Sequence, residues 1–291
     1  MRFQTGASLI LLAAAAYGQP LSFEVASVKP STQPDWARGV RSTQSGGPGT
    51  PDAGRWTCDH MPLESLILTA YKLQTFQLSA PAWMQTEYYA ITAKVPAGAT
   101  RDDFRAMLQN LLTERFQLKL RRESKQLDGY ELIVAKGGLK LKESAPLKEG
   151  EPEVPPAPAT RPRITMGDDG YPVVPPGLNL SMTLGFRARV QAVRQTIDML
   201  AQFLSGLVER PVANATGMTG KYDYSIFYIY DGPGSPPMPA PGKTPENPAS
   251  DPSGPTIFKA IQDQAGLKLE PKKIAVDFLI IERGDKVPIE N

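Results

Sequence analysis

The sequence predicts an α+β fold in which helices pack on mainly antiparallel sheets, arranged as two similar helix-strand-helix-strand-strand units with two proline-rich excursions. Three observations carry this. Every helical stretch has apolar residues on one side only, so it must cover a sheet face. The strands are short and alternate between apolar and polar positions. And one pattern occurs twice: TRDDFRAMLQNLLTERF, QLKLRRESK and YELIVAKGG in the first half answer TIFKAIQDQAG, LKLEPKK and VDFLIIERG in the second.

In chain order, residues 1–18 have the form of an export signal. Arg2 is the charged start, Ala7 to Ala16 is an apolar run, and Ala16-Tyr17-Gly18 supplies small residues for cleavage before Gln19. The run is too short for a mature membrane anchor, and no later stretch is long enough to span a bilayer. The mature chain is therefore expected to be exported, periplasmic or extracellular, without an integral membrane segment. LSFEVASVKP alternates as a half-buried strand stopped by Pro30, with Leu21, Phe23 and Val25 on one face and Ser22, Glu24 and Ala26 on the other. Residues 31–54 are rich in Gly, Pro and Ser and read as a loop. RWTCDHM is a short strand, and Leu63, Leu66, Ile67, Ala70 and Tyr71 then fall on one helical stripe after Pro62. A loop around Pro81-Ala82-Trp83 leads to a strand over 88–95.

Thr100 and Asp103 make a capping box before a helix striped by Phe104, Met107, Leu108, Leu111, Leu112 and Phe116. Leu118 and Leu120 alternate with Lys119 and Arg121, Asp128-Gly129 signals a hairpin, and Leu132-Ile133-Val134 reads as a strand buried on both faces. Nine of the 29 prolines fall in 144–180, which reads as a linker. FRARVQAV is a strand, Thr196 caps a helix striped by Ile197, Leu200, Leu204, Leu207 and Val208, and KYDYSIFYIY is a strand. Nine more prolines fill 231–255, and a last helix from Thr256 to Gly266 precedes two strands. The expected division is a signal at 1–18, a first unit at 19–143, a linker at 144–180 and a second unit at 181–291 with the 231–255 insertion.

Little chemistry is visible. A net charge of +2 with interspersed signs gives no footprint for nucleic acid. The single cysteine, Cys58, cannot form an internal disulfide, and the single histidine, His60, is the only base available to a Ser-His-Asp or Cys-His enzyme. Two apart on a strand, Cys58 and His60 share a face, which is too few ligands for zinc. TGMTGK, with Gly217 and Gly220, matches neither phosphate-loop spacing, so no cofactor is expected. Asp223 and Glu123 are the acids that a carboxylate-dependent hydrolase would use. The binding candidates are Trp56 and Trp83, with Trp36 beside them in a loop, the basic cluster Arg115, Lys119, Arg121 and Arg122, and the paired aromatics Tyr222 and Tyr224.

FEVASVKP at 23–30, APAWMQTEYYAITAK at 80–94, MLQNLLTERFQLKLRRESKQLDGYELIVAKGG at 107–138, RPVANATGMTGKYDYSI at 210–226 and GLKLEPKKIAVDFLIIE through PIEN resemble a family of uncharacterised exported proteins abundant in soil acidobacteria, defined by a domain of unknown function. Related domains are attached to BlaR1-type sensor peptidases. The resemblance implies export and a two-part α+β domain but supplies no catalytic residues; Arg122 stands where many relatives would carry histidine. The helix-strand-strand units are also similar in fold alone to the small N-terminal domains of TonB-dependent receptors and secretins. The function expected is a non-enzymatic binding module of the cell envelope taking a peptide, glycan or protein partner, with strand addition at a sheet edge as one mode. A secreted hydrolase and a structural envelope protein are the alternatives.

Overall fold

The computed structural model describes residues 21–148, 150, 165–232, 235 and 251–289. The expected leader, residues 149 and 151–164 of the first proline-rich stretch and residues 233–234 and 236–250 of the second lie outside these residues. The α+β expectation holds: the described residues form α-helices and three four-stranded, mostly antiparallel sheets. No helix among them is long and apolar enough to cross a membrane. The chain divides into two compact units, one from Met1–Tyr71, Ala82–Leu118 and Gly284–Asn291, the other from Lys72–Pro81 and Lys119–Arg283. The boundary expected between repeats is not the boundary between these units.

In the first unit the strands β1 (Val25–Ser31), β2 (Thr43–Gly46), β3 (Arg55–Pro62) and β5 (Tyr88–Lys94) stand in the order β1-β5-β3-β2. Pro30 does not stop β1; it pairs opposite Tyr89. An outer strand tolerates proline because the missing N–H has an unpaired side to face. The expected alternation also slips, for Val25 is 64% exposed while Phe23 and Ala26 are buried. TQSG, too polar to read as a strand, forms β2 inside the expected loop. On the inner face Cys58 pairs with Ile91 and Trp56 with Ala93, and all four are buried.

Two helices supply the other half of this core. The helix α1 (Leu63–Tyr71) buries Leu63, Leu66, Ile67 and Ala70. The capping box forms as expected at the start of α3 (Arg101–Phe116): Thr100 Oγ1 accepts from the Asp103 N–H at 3.1 Å and Asp103 Oδ2 from the Thr100 N–H at 2.9 Å. Phe104 meets Trp56 edge-on at 5.2 Å and Phe116 meets Tyr89 at 4.7 Å. The short helix α2 (Trp83–Thr86) occupies the expected loop and buries Met84. The tail closes the unit: the Tyr89 hydroxyl donates to the Lys286 carbonyl at 2.6 Å, the Asp285 N–H to Phe116 and the Ile289 N–H to Arg115.

The second unit overturns both hairpins. Lys119–Val134 is one strand, β6, and Leu267–Arg283 is one strand, β12; they pair antiparallel from Lys119↔Arg283 to Val134↔Leu267. Asp128-Gly129 therefore lies mid-strand. Gly129 is there because Pro211 crosses it: a Cβ would stand 2.3 Å from the Pro211 carbonyl oxygen, which accepts the Tyr130 N–H at 2.9 Å. Nor is the end of β6 buried on both faces, since Leu132 is buried, Ile133 on the opposite face is only partly buried and Val134 is exposed. With β10 (Val212–Asn214) and β4 (Leu78–Ser79) added parallel, the order is β10-β6-β12-β4.

The last sheet has the order β7-β11-β9-β8, built from β7 (Lys142–Glu143), β8 (Leu180–Leu184), β9 (Arg187–Thr196) and β11 (Lys221–Ile229). Part of the expected linker is thus ordered structure: Met166 bridges Pro172, Leu180 opens β8, and Tyr171 and Val174 are buried. Thr196 caps α4 (Ile197–Leu207) as its sequence predicts, its hydroxyl accepting from the Met199 N–H. The last helix, α5 (Ile257–Ala260), widens to a π-turn over Ile261–Ala265. One core gathers Ile197, Leu200 and Leu204 of α4, Ala260 of α5, Leu132 and Leu269 of the long strands, and Ala188, Ile226 and Tyr228 of the last sheet.

Candidate functional site

The core-facing stripe of α4 leaves one flank of the helix outside the core. Met199, Phe203 and Gly206 follow one another along that flank at helical spacing, and Met199 is 50% exposed. Below it, the register of the sheet puts Ser181 of β8 beside Val190 of β9 and Ile226 of β11, and Thr183 beside Ala188 and Tyr228. The inner strands of this face are covered by α4. The outer strand β8 is not, and Ser181 and Thr183 are exposed.

The result is a groove of about 730 Å³ between α4 and β8, with Tyr224, Tyr228 and Tyr230 among its walls. That volume suits a small molecule or a short extended segment. Five amides, Gln74, Asn179, Gln191, Gln195 and Gln202, contribute to the lining, and among the described residues no Asp, Glu, Lys, Arg or His does. Burial pushes the Tyr224 phenol up to about 12 and raises that of Tyr228, which is partly offset by a hydrogen bond with the Ser181 side chain. Both tyrosines are therefore neutral hydroxyls at any physiological pH. The groove can donate and accept hydrogen bonds, but it has no group to exchange protons near neutrality.

Of the binding candidates whose side chains are described, only Tyr224 lines this groove. Trp56 is 3% exposed: strand alternation in β3 turns it inward with Cys58, so it is a core residue rather than a surface contact. Tyr222, 8% exposed, is core on the same grounds. Trp83 opens α2, with Lys286 Nζ 5.8 Å from its ring. The Arg115 guanidinium donates to the Ile289 carbonyl at 3.0 Å, tying down the tail. Arg121 lies between Glu123 at 2.9 Å and Glu282 at 3.1 Å, while Arg122 is exposed on the next position of β6. The basic cluster is thus split between a tail clamp and a solvated strand. The described residues do not include the Trp36 side chain.

The remaining chemical candidates resolve into structural roles. A bulge between Cys58 and Met61, with His60 at φ 53°, separates the thiol from the imidazole, so they do not share a face. The bulge brings His60 to Ser31 and Asp59, the three residue types of a nucleophilic triad. His60 Nδ1 is 2.7 Å from the Thr32 carbonyl oxygen, which can only accept, so Nδ1 carries the proton. Ser31 Oγ, 3.1 Å from Nδ1, donates to Asp59 Oδ1 at 3.0 Å and cannot pass its proton to that nitrogen. Asp223 accepts from the Ser144 hydroxyl and the Arg194 N–H, holding another bulge. Glu123 is pulled below the usual carboxylate range by Arg121, the opposite of what an acid catalyst needs.

The groove was missed because its floor begins in a stretch that reads as linker. LSMTLGFRARV does carry a signal: two alternating runs joined by two residues starting with Gly form a short hairpin. Residues 64–283 match a family model described as protein of unknown function (DUF3738). No curated protein and no solved structure matches the chain.

Proposed function

The chain belongs to the DUF3738 family, whose description names no activity, and from the groove we propose that it is a non-enzymatic binding module of the cell envelope that takes an extended, uncharged ligand between α4 and β8. The observation that carries this is a 730 Å³ groove rich in amides and tyrosines whose lining, among the described residues, holds no charged side chain. An ionic ligand would lose its hydration there with nothing ionic to replace it. An uncharged ligand with its own donors and acceptors exchanges water for amides at little cost. The neutral tyrosines argue for binding over acid–base chemistry.

Export is part of the proposal and rests on the charged start and apolar run of residues 1–18. The likeness to exported acidobacterial proteins, and to domains carried by BlaR1-type sensor peptidases, supports an envelope role in ligand capture. A duplicated origin is supported by the pairing of β6 with β12, the corresponding strands of the two sequence copies.

The test is to screen the purified chain against arrayed envelope glycans and arrayed uncharged peptides, in parallel with Met199→Trp and Arg122→Ala. Met199→Trp fills the groove from an exposed position. Hits lost in Met199→Trp and kept in Arg122→Ala are expected. An absence of hits, or hits indifferent to Met199→Trp, would overturn the assignment.

A further inference from the structure

Resting on that reading of the groove, we propose that its occupant is a peptide strand that extends the sheet by pairing with the free edge of β8. The turn between β8 and β9 fixes which backbone groups are available. Leu184 and Arg187 flank the two-residue loop Gly185-Phe186, with Gly185 at φ 60°, so they form the hydrogen-bonded pair that closes the hairpin. Hydrogen-bonded pairs alternate, so Met182 and Leu180 also spend their N–H and C=O groups on β9. Ser181 and Thr183 point theirs away from the sheet. β8 is the last strand in the order β7-β11-β9-β8, and among the described residues nothing pairs with those two backbones.

The same two residues line the groove with their side chains. Backbone edge and pocket are therefore one surface. A strand laid along β8 would direct alternate side chains under α4, towards Met199, Phe203 and Tyr224, and the others to solvent. Since the lining is uncharged, the inward positions select uncharged side chains. Two outward N–H and C=O sets at i and i+2 match the two-residue repeat of an extended peptide, about 6.8 Å, and a glycan has no such repeat.

The unguarded state of this edge points the same way. Outer strands are normally protected from strand addition by charge, proline or brevity. In this protein β1 carries Lys29-Pro30, β7 is Lys142-Glu143, β4 and β10 have two and three residues, and β2, TQSG, is likewise uncharged but ends after four residues at Gly46 with φ 78°. β8 is five residues, LSMTL, with neither charge nor proline. At its start the ladder is closed off: the Asn179 side chain takes the Val193 N–H where β9 runs on past β8.

The experiment selects binders to the full chain from displayed random decapeptides and synthesises the best with N-methyl groups on alternate amides. Methylation of one alternating set is expected to weaken binding at least tenfold and of the other set less than twofold, with slowed hydrogen exchange at the Ser181 and Thr183 amides. Thr183→Pro removes an outward N–H at an edge position where proline is tolerated; it should abolish binding with an unchanged circular dichroism spectrum. A peptide blocked by Met199→Trp but indifferent to both methylation patterns would refute strand addition while leaving the groove as a binding site. So would a glycan binding there in place of any peptide. No ligand of either kind would refute both proposals.

Discussion

Gly129→Ala tests the continuous ribbon of β6 and β12 most sharply. The new Cβ would stand 2.3 Å from the Pro211 carbonyl oxygen, 2.7 Å from Pro211 Cγ and 3.1 Å from Ile274 Cγ1. That carbonyl cannot swing aside, because it accepts the Tyr130 N–H at 2.9 Å. The two backbones must part by most of an ångström. Overpacking of this kind costs about 1–3 kcal/mol, and loss of the Tyr130–Pro211 hydrogen bond adds about 1 kcal/mol. Alanine returns about 0.5–1 kcal/mol by restricting the unfolded chain. The net expectation is a destabilisation of about 2 kcal/mol. Urea unfolding followed by circular dichroism should show a lower midpoint with an unchanged slope, and exchange at the Tyr130 amide should quicken. In an exposed hairpin turn without positive φ, alanine would be neutral or stabilising. A midpoint at or above that of the wild type would refute the close approach.

Thr100→Ala should cost about 1 kcal/mol by removing half of the capping box, measured as a lowered thermal midpoint. Hydrogen bonds with Thr100 hold the Asp103 carboxyl below its ordinary range, so its contribution is present above the unfolded pKa and lost as pH falls through the folded one. The advantage of the wild type over Asp103→Asn should therefore persist at neutral pH and vanish in strong acid, as melts across pH 2–7 would show. Burial pushes the Cys58 thiol up to about 12; iodoacetamide at pH 8 should leave the native chain unlabelled and modify it fully in urea, read by mass spectrometry. Tyr89→Phe deletes the hydroxyl that donates to Lys286 at 2.6 Å and should cost about 1 kcal/mol, with faster hydrogen exchange at the tail amides.

Where local pattern and tertiary demand agree, the sequence was readable. The capping box at Thr100, the stripes of α1, α3 and α4 and the strands β3, β5 and β11 all appear where their residues put them. Two punctuation signals misled, for related reasons. Asp128-Gly129 has the composition of a turn, but its glycine answers a backbone that comes from residue 211, which no local window contains. Pro30 reads as the stop of the first strand, yet it pairs opposite Tyr89; β1 is an outer strand, so the missing N–H has an unpaired side to face. The groove was hidden more deeply. Its character lies in a relation between β8 and one flank of α4, and Tyr224 was its single member among the candidates.

The pairing of β6 with β12 also sets when this protein can fold. β6 finds its partner only when residues 267–283 are available. The first unit waits as long, for the Tyr89–Lys286 bond spans 197 residues of chain. Contacts of such sequence separation form slowly, because the loop must be closed before any pairing rewards it. Until then the 16 residues of β6 stay without their long partner. Neither unit can be completed piecemeal during synthesis. Such a chain stays threadable, fit to be passed through a narrow channel, for as long as its last strand is withheld.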